Sequence, residues 1–221
     1  MEAFSLYSSA IADFLGKKLR GEDLAVFGVS SLDAIKANTL TFMNHFTEDN
    51  KRKLDGSSNF LLLCREDLLG KFKGSYIVVE NPRLDFAKII NNFFSRKKPP
   101  EIHKTAIIET KKIGKNVSIG AYSIIGENVE IGDNTYIGNN VTIQGNTSLG
   151  KNCKIKSGAV IGEDGFGFER DENGLPVQFN SMGYIQIGND VFLGSNSSIE
   201  LGSIDGTVIS DNVKIDDLVQ I

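Results

Sequence analysis

Large aliphatic residues recur at every sixth position along the middle of the chain: Ile113, Ile119, Ile125, Ile131, Ile137, Ile143, Leu149, Ile155 and Ile161. A period of six is neither the 3.6-residue period of a helix nor the alternation of one long strand. It is a short-period repeat, and repeats set the architecture before local propensity does. Gly follows the aliphatic residue at Gly114, Gly120, Gly126, Gly132, Gly138 and Gly150, and Asn stands three places after it at Asn116, Asn128, Asn134, Asn140, Asn146 and Asn152. Two places before it the side chain is small or β-branched: Val117, Ser123, Val129, Thr135, Val141, Thr147, Cys153 and Ala159. Each six therefore reads as a short strand with one large side chain pointing inward, then a turn. Gly and Asn accept positive φ at low cost, so both are expected at the corners. Three sixes close one triangular coil, and stacked coils make a left-handed parallel β-helix. That hand is an exception to the right-handed crossover rule, and the repeat alone assigns it. Each buried Ile or Leu contributes roughly 1.5–3 kcal/mol, and the stacked column forms one continuous core.

The flanking segments follow other periods. Phe4, Tyr7, Ile11, Phe14 and Leu15 form a helical stripe over residues 3–19 that ends near Gly16. Residues 24–29 and 40–43 read as strands, and residues 30–34 between them can start a short helix. Residues 60–64 and 76–79 are apolar runs of strand length, with a helix and loop expected over 47–58. Asn81-Pro82 opens a helix carrying Leu84, Phe86, Ile90 and Phe93, with Pro in its first turn. The fold class is thus mainly β, a left-handed parallel β-helix of hexapeptide repeats over residues 99–221, preceded by a small α/β domain over residues 1–98. Ser95-Arg96-Lys97-Lys98-Pro99-Pro100 marks the boundary as a solvated linker.

The repeat starts at about Ile102 and breaks after Ile161. An excursion over residues 162–184 carries Asp164-Gly165-Phe166-Gly167-Phe168 and a polar tip, Asp171-Glu172-Asn173-Gly174. The spacing resumes at Ile187, Leu193 and Ile199, slips by four residues near 201–204, and returns at Ile209, Ile215 and Ile221. Loops on a rigid solenoid often carry binding function. Composition alone allows equally a surface decoration whose Phe side chains pack on the coil wall.

Hydrophobic content of 40% with 24% charged residues describes a globular chain with material for a core, and a net charge of −4 argues against nucleic acid as the partner. Cys64 and Cys153, far apart, suggest a reducing compartment and no disulfide framework. Met1-Glu2-Ala3-Phe4 lacks the pattern of a signal peptide, and no apolar run approaches the ~20 residues of a transmembrane segment. The expected location is cytoplasmic.

Several phrases now combine in one order. Gly28-Val29-Ser30-Ser31-Leu32, Leu40-Thr41-Phe42-Met43 and Asn81-Pro82 precede the repeats, and Val160-Ile161-Gly162-Glu163-Asp164-Gly165-Phe166-Gly167-Phe168 follows them. Asp205-Gly206-Thr207-Val208-Ile209 and Ile215-Asp216-Asp217-Leu218-Val219-Gln220-Ile221 come last. Over essentially its whole length the chain resembles bacterial UDP-3-O-acylglucosamine N-acyltransferases of lipid A biosynthesis. The resemblance implies a homotrimer that moves a 3-hydroxyacyl group to the 2-amino group of a UDP-sugar substrate. The acyl donor is carried on the phosphopantetheine of acyl carrier protein, with no other cofactor and no metal. Such a transfer needs a neutral amine, a general base and N–H donors for the developing oxyanion.

In the family the base is a His just after the Val-Gln-Ile phrase, which here ends at Ile221. The base is therefore expected just beyond Ile221, and these 221 residues alone are expected to lack turnover. His45 and His103 do not match that base, and two separated imidazoles cannot supply the three of a zinc site on this fold. A solenoid also needs a cap at each end, so a chain stopping on an inward-facing Ile in mid-coil reads as truncated.

By resemblance, Phe42 would stack on uracil with Asn44 near it, although Phe42 also fits as strand core. The same resemblance implies that Asp164, Gly165 and Phe166 belong to a substrate-binding loop. Asp216 would orient the base and Gln220 would contact the acyl donor; both fit equally as coil-surface polarity. Glu200 and Leu201 stand where the family usually has Asp and Arg, and Leu cannot replace a bidentate guanidinium. Lys151, Lys154 and Lys156, with Lys111, Lys112 and Lys115, offer a docking surface for an acidic carrier protein or simply solubilise the coil. Two other readings stay open: a non-catalytic trimeric binding or scaffold protein, and a nucleotide-sugar acetyltransferase using acetyl-CoA.

Overall fold

A computed structural model describes residues 6–68, 71–95 and 99–221. Contacts group the chain into two units, Met1–Lys97 and Lys98–Ile221. The expected linker run Arg96-Lys97-Lys98 and the first residues, Met1 to Phe4, lie outside the described residues.

The first unit opens with β1 (Leu6–Tyr7) and α1 (Ser8–Phe14), followed by β2 (Leu19–Arg20), β3 (Ala25–Val26), β4 (Gly28–Val29) and β5 (Thr39–Phe42). Then come α2 (Glu48–Asp55), β6 (Leu61–Cys64), β7 (Ser75–Val78) and α3 (Pro82–Ile89). Its sheet runs β2-β7-β6-β5-β4, with β4 to β7 parallel and β2 antiparallel at one edge. A parallel strand covered on both faces reads as an unbroken apolar run, and β6 is Leu-Leu-Leu-Cys for that reason. Leu61 and Leu63 pack with Ile11, Ala12 and Ile89, while Leu62 and Cys64 pack with Met43, Leu54 and Phe60. The helix starts obey capping rules: the Thr47 hydroxyl accepts from the Asn50 N–H at 3.0 Å and Asn81 Oδ1 from the Leu84 N–H at 3.1 Å, with Pro82 in the first turn.

Three local expectations are corrected. Residues 24–29 form two strands that part at Phe27, because Val26 pairs antiparallel with Leu6 while Gly28 pairs parallel with Thr39. The first helix is confined to Ser8–Phe14, since Leu6 and Tyr7 are drawn into that antiparallel pair and Gly16 ends the helix at φ +63°. Residues 30–34 make a turn and no helix. Ser30 is held beside β5 by its N–H to Leu40 O (3.0 Å) and its hydroxyl to Thr39 (2.7 Å), so the chain turns only after it.

The second unit is the left-handed parallel β-helix. Its first face stacks Ile107–Ile108, Ile124–Ile125, Thr142–Ile143, Val160–Ile161 and Ser198–Ile199. The second stacks Val129–Ile131, Thr147–Leu149, Tyr184–Ile187 and Gly206–Ile209. The third stacks Ser118–Ile119, Tyr136–Ile137, Lys154–Ile155, Phe192–Leu193 and Lys214–Ile215. Partners such as Ile125 and Ile143 lie one 18-residue coil apart. Across the excursion Ile161 pairs with Ile199, 38 residues on, and across the four-residue slip Ile187 pairs with Ile209, 22 on. Both insertions leave the inward column in register, so Ile119 to Ile215 forms a single core.

The corners divide the expected work of Asn and Gly. Asn116, Asn134, Asn140 and Asn152 take positive φ, between +53° and +58°. Asn134 links its neighbours in an amide ladder, accepting from Asn116 and donating to Asn152. Gly132 has no such φ; a Cβ there would lie 2.5 Å from Gly150 C in the next coil. The glycine column is therefore set by the approach of stacked backbones, not by corner dihedrals.

Candidate functional site

The corner that follows the first face carries the excursion, and polar side chains gather at its root. After Ile143 and Ile199 the Gly of the repeat is replaced by Gln144 and Glu200. Gln144 Nε2 donates to Glu163 Oε1, and Gln220 Nε2 donates to Glu200 Oε1 at 2.5 Å. Gln220 reaches that position because it bridges in parallel to Ser198 on the first face. The other Glu200 oxygen, Oε2, lies against Gly165, where an added Cβ would stand 3.1 Å from it.

The excursion is tied down at the same place. The Leu201 N–H donates to Glu163 O at 2.9 Å, the Ser181 N–H to Asp164 Oδ1 at 3.1 Å, and the Gly165 N–H to the Ser181 hydroxyl at 3.3 Å. Beyond this anchor the loop carries Phe166 and Phe168, edge to face at 5.0 Å, with Phe166 89% exposed. An antiparallel hairpin, Phe168–Arg170 with Pro176–Gln178, completes it. Leu201 lies over Gly145, its methyl 3.1 Å from where a Cβ there would be. The root is thus apolar at Leu201, anionic at Glu163, Asp164 and Glu200, and lined by amide groups.

Asp164, Gly165 and Gln220 therefore come together, with Glu200 joining them, while Phe166 projects beyond them against Phe168. Asp216 stands at another corner, stacked against Gly194, with its carboxylate accepting from the Asp217 N–H at 2.8 Å. On that corner Asp217 accepts from Lys156 (2.7 Å) and from the Ser195 N–H (2.6 Å). The Lys156 hydrogen bond is the main reason its carboxyl is held below the usual range. Lys154 and Lys156 both approach the Phe192 ring, at 5.7 and 5.9 Å from its centroid.

In the first unit, Phe42 packs its ring against Phe86 with centroids 4.8 Å apart, and Asn44 is half-buried in the following bend. A different aromatic faces a cavity: Phe46, with Lys71 Nζ 4.5 Å over its ring, lines a surface pocket with Lys51, Lys73, Glu48 and Asp55. His103 Nδ1 is hydrogen-bonded to the Thr105 hydroxyl at 2.9 Å, and His45 is exposed, its carbonyl accepting from Asn50. Burial pushes the Cys64 thiol up to about 12 and the Cys153 thiol in the same direction, so neither is a ready nucleophile.

Gln144, Glu163 and Ser181 are the polar contributors that reading the sequence did not single out. A signal for Gln144 is present in it: the Gly that follows most of the aliphatic residues is missing there. Nothing in the spacing foretells that Glu163 and Ser181 meet the same corner.

Residues 110–145 and 131–163 match the family model for bacterial transferase hexapeptide (six repeats), and residues 184–216 match the hexapeptide repeat of succinyl-transferase. A UDP-3-O-acylglucosamine N-acyltransferase of Delftia acidovorans is 41% identical to this chain, over 98% of it and 66% of the relative. One from Coxiella burnetii is 35% identical over 96% of this chain and 67% of the relative. A solved UDP-N-acetylglucosamine acyltransferase from Campylobacter jejuni matches 55% of this chain and 45% of its own at 25% identity, with a TM-score of 0.46. The chain spans about two thirds of the length of the curated relatives it matches.

Proposed function

The chain belongs to the UDP-3-O-acylglucosamine N-acyltransferase family, and from that premise we propose that the full-length protein is the N-acyltransferase of a lipid A pathway. It moves a 3-hydroxyacyl group from the phosphopantetheine of acyl carrier protein onto the 2-amino group of a UDP-3-O-acylglucosamine. The observation that carries this reading is that the likeness runs through 96–98% of the chain, both units included. Repeats alone would point only to a broad class of transferases.

The reaction is aminolysis of a thioester. The neutral amine attacks the acyl carbon, a C–N bond forms and the C–S bond breaks. The amine proton passes to a base and the thiolate leaves. As the resemblance implies, we assign the base to a histidine expected just after Ile221; His103 and His45 do not match its place in the family's run. Phe46 under Lys71, rather than Phe42 against Phe86, is the aromatic better placed to meet a uridine nucleotide, with Lys73 beside it for phosphate.

We place the protein in the cytoplasm as a homotrimer. The outward column Ile107, Ile124, Thr142 and Val160 on the first face favours packing against another copy. Lys154, Lys156 and Lys214 around Phe192 favour an acidic carrier protein. Free, buried Cys64 and Cys153 suit a reducing compartment. Among the described residues no helix is long and apolar enough to cross a membrane.

The test is turnover by a protein extended to the relatives' full length, offered 3-hydroxyacyl carrier protein or acetyl-CoA as donor. Acylation of UDP-3-O-acylglucosamine from the carrier protein alone supports the reading. Use of acetyl-CoA, or binding of the nucleotide sugar with no transfer from either donor, overturns it.

A further inference from the structure

A carboxylate can only accept hydrogen bonds, so a Gln paired with one must present its NH2 group to it. The orientation of the Gln220 amide is thus set by chemistry and is not open to the usual O/N ambiguity. With one of the two Nε2 hydrogens donated to Glu200 Oε1 at 2.5 Å, the carbonyl oxygen, Oε1, is turned away from that carboxylate and is free to accept. Gln144 is committed in the same sense by Glu163. Glu200 is itself held in place, half-buried, with its second oxygen against Gly165 and its backbone carbonyl accepting from the Thr207 hydroxyl at 3.0 Å.

We propose that Glu200 is a positioning residue that locks the Gln220 amide with its carbonyl oxygen outward, so that this corner recognises a hydrogen-bond donor on the substrate, an amide N–H or a hydroxyl. The claim rests on the acyltransferase reading and goes beyond it. It disfavours a phosphate oxygen or a thioester carbonyl at the outward Gln220 carbonyl, because both are acceptors, and leaves them only the second Nε2 hydrogen. It leaves two sources of donor, the amide N–H groups of the pantetheine arm and the hydroxyls of the nucleotide sugar. Glu200 touches neither; it acts through Gln220.

Two measurements test it. On the 221-residue chain, 15N NMR follows the Gln220 side-chain NH2 while pantetheine or UDP-N-acetylglucosamine is added separately. Slow NH2 exchange in the unmodified chain, accelerated in Glu200→Ala, is expected. One of the two ligands, and not the other, should then shift the Gln220 signals, which identifies the source. Equal exchange rates in the two chains, or no shift with either ligand, overturn the proposal.

In the full-length protein, Glu200→Ala and Glu200→Gln should raise KM for the substrate that shifted the signals about fivefold, the weight of one neutral hydrogen bond, with kcat within twofold. Glu200→Asp should recover part of that loss, which a merely structural role would not predict. A fall in kcat with KM unchanged overturns the assignment. Absence of turnover in the unmodified full-length protein would instead count against the acyltransferase reading, and the NMR result on Gln220 would then decide this proposal by itself.

Discussion

The two units solve the same problem, satisfying a buried backbone around an apolar core, in opposite ways. In the α/β unit every contact is particular. Asp23 holds the start of α1 through Ser8 and Ser9, Ser75 reaches back 53 residues to the Glu22 carbonyl, and α2 and α3 are capped by Thr47 and Asn81. In the β-helix one arrangement recurs. Asp133, Asn139, Ser157, Asn189, Asp211 and Asp217 each accept from a backbone N–H one coil earlier. Repetition makes stability a sum over neighbouring coils, whereas particular contacts make it a property of the whole unit.

The largest expected effect tests that contrast directly. Leu61→Ala and Ile137→Ala each remove a fully buried side chain and should cost about 2–5 kcal/mol. Leu61→Ala should lower hydrogen-exchange protection across the first unit and speed labelling of Cys64. Ile137→Ala should lower it mainly in the paired strands at Ile119 and Ile155, leaving Lys214–Ile215 protected. Uniform loss through every coil would break the comparison.

A smaller effect separates backbone approach from backbone freedom. Gly132→Ala pushes a methyl into the next coil at 2.5 Å and should cost about 1–3 kcal/mol. Gly28→Ala in the first unit meets nothing within 4 Å and should stay within about 0.5 kcal/mol. Equal thermal shifts would show that stacking does not set the glycine column.

Smaller again are two asparagines. Asn134→Ala should cost about 1–2 kcal/mol because it removes the short polar side chain that suits Asn to a φ of +58° and that links the amide ladder. Asn81→Ala should cost about 1 kcal/mol by removing a cap. Serine sharpens the difference: it should restore the cap at position 81 and fail to restore the corner at 134. Denaturant midpoints of the four variants decide it.

The smallest effect distinguishes two lowered carboxyls. Asp217 is lowered chiefly by the Lys156 hydrogen bond, and Asp23 chiefly by the Ser9 backbone N–H. A depressed folded-state pKa contributes stability above the unfolded value, near 4, that is lost as pH falls through the folded value. Both units should therefore weaken slightly below pH ~4. Of these two carboxyls, added salt at neutral pH should weaken the contacts of Asp217 and not those of Asp23, whose partners are uncharged. Equal salt dependence of Lys156→Gln and the unmodified chain would contradict this.

Reading the chain by its periods recovers the β-helix, its core column and the place of the excursion, because each depends on one side chain facing inward every six residues. The role of Gly132 is hidden, since the clash it avoids is with Gly150, and only the stacked register brings them together. In the first unit Pro82 and the β6 run were legible, being local signals. The division at Phe27 was not, because it depends on Leu6 and Thr39, which lie in different segments. At the candidate site the Asp164-Gly165-Phe166 phrase marked the loop. Its coupling to Gln220 through Glu200 depends on strand pairing across the excursion, and Asp216 lies at another corner for the same reason.

The excursion enters and leaves the prism without disturbing the pairing of Ile161 with Ile199. A corner of this kind works as a socket: the frame is indifferent to the length of what is plugged into it, and each doubling of loop length costs only about 0.6 kcal/mol in closure entropy. Loops of other sizes can therefore be exchanged between Gly162 and Tyr184 while the coils above and below keep their alignment.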